Sequence, residues 1–145
     1  MRAKHTNKSE VETFKSEGGE TTAFLLTSQD TDKRVTISES DLPAGNSAPW
    51  HYHDFDDEIF YIISGEVEFG VNEDVIVAKP GDIIMAGPKV HRRFTALKDS
   101  RFLVINAPGG PAEAFIKDIF SLDGNITQSD ETRFATRYGI HLVKK

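Results

Sequence analysis

The chain has 145 residues and a formal net charge of −6, from 17 Lys and Arg against 23 Asp and Glu. That balance speaks against nucleic acid or an anionic membrane as the partner, and no basic run longer than a pair precedes Lys144-Lys145. Without cysteine, disulfides and thiolate metal sites are excluded. The length suits one domain with a real core. The stretch Met1 to Glu20 is polar, with no apolar core of an export signal, and no apolar run reaches the length of a membrane span. A cytoplasmic location is therefore expected.

In chain order, residues 1–20 read as an N-terminal segment with a loosely held start. Strand-like runs then follow at short spacing: Val11 to Phe14, Thr22 to Thr27, Arg34 to Glu39, Ala48 to His53 and Glu58 to Ser64. Glu66 to Val71, Asp74 to Ala78, Ile83 to Ala86, Arg93 to Leu97 and Phe102 to Asn106 complete the set. Turn residues separate them, as at Pro43-Ala44-Gly45-Asn46, Asn72-Glu73-Asp74 and Pro80-Gly81-Asp82. Many short strands with regular turns predict an all-β sandwich or barrel. Val67, Phe69 and Val71 alternate with Glu66 and Glu68, the mark of a half-buried strand. Ile59 to Ile63 is apolar on both faces, with Glu58, Phe60 and Ile62 on the inner one. The outer residues then need cover. From 109 the pattern changes. Pro111 suits a first helical turn, and Ala112, Phe115, Ile116, Ile119 and Phe120 form one apolar helix face to lie against the barrel. Thr127 and Asp130 resemble a capping box, and Gly139 a stop, for a second helix from about Gln128 to Tyr138. The division expected is 1–20 N-terminal segment, 21–108 barrel and 109–145 helical extension.

His51 and His53, two apart on a strand, point to the same face, and Glu58 can reach the same point across a turn. Two imidazoles and a carboxylate suit a first-row transition metal. Trp50 and Tyr52 alternate with the histidines and point away from them, as a packing or subunit surface. Asp54, Asp56 and Asp57 read as a solvated turn, and His5 and His141 as bystanders.

Gly45, His51, His53, Glu58 and Gly65 match the first motif of the cupins at every defined position. Pro80-Gly81-Asp82-Ile83-Ile84 resembles the start of the second motif, and Val90-His91-Arg92-Arg93-Phe94 its end. Ala107-Pro108-Gly109-Gly110 and Arg137-Tyr138-Gly139-Ile140 resemble single-domain cupins of the quercetin 2,3-dioxygenase-like group. The resemblance runs from about Thr21 to the end. It implies a double-stranded β-helix, or jelly-roll barrel, with the helices packed on it. The second motif departs from the family: Arg92 stands at the histidine position and His91 one residue early. A one-residue slip reverses a strand side chain. Either a bulge turns His91 inward as fourth ligand, the reading favoured here, or His51, His53 and Glu58 form a three-ligand site.

The resemblance implies one divalent metal (Fe, Mn, Ni, Co, Cu or Zn) and an apolar pocket of Phe60, Ile62, Met85, Phe94 and Phe102. It implies a metal-dependent dioxygenase for a small aromatic or enolic substrate, with Glu58 as ligand and catalytic proton acceptor. The alternatives are a non-catalytic small-ligand module and a non-redox isomerase or lyase. Arg92 or Arg93, if turned into the barrel mouth, would hold an anionic substrate. The doubly apolar Ile59 to Ile63, with Trp50 and Tyr52, predicts a homodimer.

Overall fold

The short apolar runs become strands because their β-branched and aromatic residues alternate between a buried and a wet face. The computed structural model describes residues 2–145. In order the strands are β1 (Thr13–Lys15), β2 (Thr21–Leu26), β3 (Thr36–Leu42), β4 (Ser47–His53), β5 (Asp57–Ser64) and β6 (Val67–Val71). They continue as β7 (Asp74–Ala78), β8 (Ile83–Ala86), β9 (Arg92–Ala96), β10 (Ser100–Ala107) and β11 (Ile140–Leu142). Two sheets result, ordered β1-β2-β3-β10-β5-β8 and β11-β4-β9-β6-β7, with every pairing antiparallel. The chain passes back and forth between them, which gives the expected jelly roll. Gly65 makes the turn from β5 to β6 at φ 86°, where a Cβ would strike Ser100 and the Asp99 carbonyl.

Packing fills one end of the barrel. Phe60, Phe69, Phe94 and Phe102 form a cluster with ring centroids 5.0–6.5 Å apart. Leu42, Ile62, Val67 and Ala78 close around it. The inner face of the first sheet becomes polar away from this cluster, because Thr22, Thr36, Ser38, Ser40 and Asn106 are all buried there.

The helices stand where the sequence places them, as α1 (Ala112–Phe120) and α2 (Gln128–Tyr138). The Thr127 hydroxyl accepts from the Asp130 amide, and the Asp130 carboxylate accepts from the Thr127 amide, so both halves of the capping box form. Gly139 ends α2 in the left-handed region at φ 65°. Arg133 ties the helices together through two bonds to the Asp118 carboxylate, at 2.9 and 2.7 Å. No described helix is long and apolar enough to cross a membrane.

One strand lies outside the expectation. β11 pairs with β4, Ile140 opposite His53 and Leu142 opposite His51; three residues are too few to show an alternation. The N-terminal segment joins the first sheet, because β1 pairs with β2, and a 3₁₀ turn at Lys8–Glu10 precedes it, capped by Asn7.

Candidate metal centre and cavity

Register decides which side chains meet. On the inner face of the first sheet, Glu58 stands in one row with Asn106 and Thr36. In the second sheet His51 is paired with Arg92, after a register shift in β4 between Ala48 and His51. His51, His53 and Glu58 therefore converge from facing sheets, and one donor atom from each lies within 4.8 Å of the others. His51 Nε2 and His53 Nε2 are 4.0 and 3.6 Å from Glu58 Oε1. Metal–ligand bonds of about 2.0–2.2 Å place neighbouring donors roughly 3–3.5 Å apart, so a small closure completes the site.

The second nitrogen of each ring is engaged. His51 Nδ1 lies 2.8 Å from the Pro49 carbonyl oxygen, and His53 Nδ1 lies 2.9 Å from Asp56 Oδ1. Both partners are acceptors, so each Nδ1 donates its proton and each Nε2 keeps a lone pair aimed at the common point. Burial pushes His51 down to about 4, against the pull of Glu58, so its ring is neutral at pH 7. Glu58 Oε1 is buried with no hydrogen-bond partner. An orphaned carboxylate oxygen facing two imidazole lone pairs is a donor set that fits a divalent cation.

Arg92 borders this point. It is 1% exposed, donates from Nη1 and Nη2 to the Val90 and Ala86 carbonyls, and holds Nε 3.4 Å from Glu58 Oε1. That Nε also lacks a hydrogen-bond partner. The expectation of an inward His91 is corrected here. In β9, Arg92, Phe94 and Ala96 face inward, so His91 falls outside, where its ring stacks on Tyr52 at 5.1 Å. The register shift lies in β4 and leaves the β9 alternation intact, so nothing re-aims His91.

The centre opens into a cavity of about 590 Å³. Phe60, Phe94 and Phe102 line it. Ile62 and Met85 are corrections. Ile62 is fully buried beneath the cavity, in the core cluster. Met85 is 61% exposed on the outer face, because β8 turns Ile84 and Ala86 inward. The apolar face of α1, including Phe115, Ile116 and Ile119, forms a further wall over the barrel mouth. Trp50 and Tyr52 do point away. Tyr52 stacks on His141 as well as His91, and Trp50 meets the Arg93 guanidinium and Lys145 ammonium.

Residues 38–107 match the model of the cupin domain family. The fold is that of the cupins. No curated protein sequence matches the chain. Among solved structures it is similar to KdgF from a Halomonas species, with a TM-score of 0.67 and 19% identity over 73% of this chain and 94% of that one. It is also similar to a predicted oxalate decarboxylase from Thermotoga maritima (TM-score 0.65, 24% identity, 72% of this chain and 98% of the other). A third likeness is to the polyketide cyclase RemF from Streptomyces resistomycificus (TM-score 0.61, 20% identity, 73% and 80%). At these identities the likenesses establish the barrel, and the site must be argued from its own atoms.

Two residues of the cavity escape a reading of the sequence. Asp56, expected in a solvated turn, holds the His53 ring and accepts from Asn106 Nδ2 at 2.8 Å. Burial pushes its carboxyl up, but the hydrogen bond and charge of His53, with Asn106 and Arg92, outweigh this and hold it below the usual carboxylate range. Its place three residues after His53 was the one signal available. Asp56→Asn is expected to weaken metal affinity about 10–100-fold, because the proton on His53 Nδ1 loses its charged acceptor. Isothermal titration with zinc measures this, and an unchanged affinity rejects the role. Glu20 is the other missed residue, and nothing in its polar surroundings in the sequence marks it.

Proposed function

We propose that the cavity is the reaction chamber of a metal-dependent dioxygenase acting on a small aromatic or enolic substrate. His51, His53 and Glu58 are the ligands, a three-residue set with Arg92 where a fourth would stand. The observation that carries this reading is the convergence of two imidazole lone pairs and the orphaned Glu58 Oε1 at one wall of a cavity that Phe60, Phe94 and Phe102 help to line. When bound, the metal supplies Lewis acidity toward an ionising hydroxyl and redox chemistry with dioxygen. Iron, manganese, nickel, cobalt, copper and zinc all suit these donors. The protein does the rest. Phe60, Phe94 and Phe102 offer ring edges and faces to a flat substrate. The α1 wall keeps water from it. Glu58 is a ligand and, when displaced, a proton acceptor.

Purified protein is expected to carry close to one transition metal per chain by elemental analysis, and to consume oxygen with a flavonol or a catechol. Substoichiometric metal after supplementation, or no uptake by metal-replete protein, rejects the dioxygenase. One observation favours a second reading, a non-redox isomerase or lyase, or a ligand-binding module. The buried Arg92 guanidinium lies 3.4 Å from Glu58 and competes with a cation for the same carboxylate. Failure of metal loading moves the assignment there.

We also propose a homodimer through the outer face of β5 and β8. Tyr61, Ile63, Ile83 and Met85 are exposed there, and Ile59 and Leu103 adjoin them in register. The four exposed residues are uncharged, so a second copy of an acidic chain meets this patch with little like-charge repulsion. Trp50 and Tyr52 play no part, since their partners lie within the chain. Sedimentation equilibrium is expected to give twice the chain mass, and Ile83→Lys to halve it. A wild-type monomer at high concentration rejects the dimer.

A further inference from the structure

Across the cavity from the metal centre, on the first sheet, lies a second group of polar side chains that the proposed chemistry does not use. Glu20 precedes β2, and the strand alternation turns Glu20, Thr22 and Phe24 inward together. Thr22 Oγ1 donates to Glu20 Oε2 at 3.1 Å, and Thr22 Oγ1 lies 2.8 Å from Ser40 Oγ. Thr22 and Ser40 are 1% and 2% exposed, and all three residues line the cavity. Ser38, two residues along β3, continues the hydroxyl line toward the row of Asn106 and Glu58. A barrel interior gains more from apolar residues at such positions, so the polar line calls for a reason beyond packing.

We propose that Glu20, Thr22 and Ser40 form a proton relay, in which Ser40 exchanges a proton with a hydroxylated ligand in the cavity and Glu20 stores it. Each hydroxyl carries one proton, which fixes the direction of the chain. While Glu20 is ionised, Thr22 donates to it and Ser40 donates to Thr22, leaving Ser40 lone pairs to accept from the ligand. When the ligand O–H bond breaks, its proton passes to Ser40 Oγ, the Ser40 proton to Thr22 Oγ1 and the Thr22 proton to Glu20 Oε2. A neutral carboxyl and a ligand oxyanion result, with no net change in charge. The reverse sequence returns the proton to the product. The electrostatics suit storage at neutral pH: burial pushes the Glu20 carboxyl up to about 7, the Thr22 and Ser40 hydroxyls oppose this, and Glu58 adds repulsion across the cavity. Glu17, His51, His53, Asp56 and Tyr138 are further titratable residues that line the same cavity.

The relay rests on the proposed function for its hydroxylated ligand. The test uses the full chain loaded with zinc, which is redox-inert and so leaves a bound flavonol intact. The ionisation of the bound flavonol after a rapid upward pH jump is followed by its absorbance against time. Glu20→Gln and Thr22→Val, both close in shape to the residues they replace, are expected to slow this ionisation about tenfold or more at unchanged zinc content. In parallel, carbon NMR of glutamate-labelled protein is expected to show one carboxyl that titrates near 7 and is missing in Glu20→Gln. Equal rates in wild type and both variants overturn the relay and leave the proposed function standing. A Glu20 carboxyl titrating in the ordinary range overturns the relay on its own. No flavonol binding to zinc-loaded wild type overturns the proposed function, and the relay with it.

Discussion

Glu58→Ala is expected to destabilise the protein by about 3–5 kcal/mol, besides removing a metal ligand. The stability loss comes from Arg92. Its guanidinium is 1% exposed and keeps two donors on the Val90 and Ala86 carbonyls, so it cannot follow its lost partner into water. Removing Glu58 leaves a buried cation with Asp56 as its nearby counter-charge. Arg92→Met in the Glu58→Ala background is expected to restore most of the loss, since both charges are then gone and the volume stays filled. Chemical denaturation of metal-free wild type, the single variants and the double variant measures the coupling. A Glu58→Ala loss below about 1 kcal/mol, the scale of an exposed pair, sinks the buried ion pair.

The second large effect depends on pH. The folded chain holds the Glu20 proton to about 7, against an ordinary 4.5, so it binds that proton more tightly than the unfolded chain does. The stability gained is fully present below pH 4.5 and is lost as pH rises through 7. Glutamine has no proton to lose. Glu20→Gln is therefore expected to gain on wild type by up to about 3 kcal/mol between pH 4.5 and about pH 8. His51, pushed down to about 4, acts in the opposite direction, with stability present above its unfolded value and lost as pH falls through 4. That contribution is common to both proteins and cancels in the difference. A difference independent of pH rejects the raised carboxyl.

The parts of the site that were legible in the sequence are those set by local geometry. His51 and His53 share a face because strand side chains alternate, and the α1 stripe is a helical period written in Ala112, Phe115, Ile116, Ile119 and Phe120. Phe60, Phe94 and Phe102 follow from the same alternation. The errors arose where one strand had to be placed against another. Met85 fits a pocket by composition, yet β8 presents its other face to the core. His91 or Arg92 could each be drawn inward on paper, because a bulge in either strand relates the two choices. The fold puts the shift in β4, and Arg92 is the residue buried.

By itself, then, the sequence determined the all-β barrel, the two helices with their caps and the trio His51, His53 and Glu58, since all of these rest on periods of two or 3.6 residues and on turns between near neighbours. Only the tertiary structure decided what surrounds the trio. It set the Arg92 guanidinium beside Glu58, the Asp56 carboxylate on His53 and the Glu20–Thr22–Ser40 line across the cavity. Those contacts depend on inter-strand register and on the reach of side chains between strands and turns, which no local pattern records.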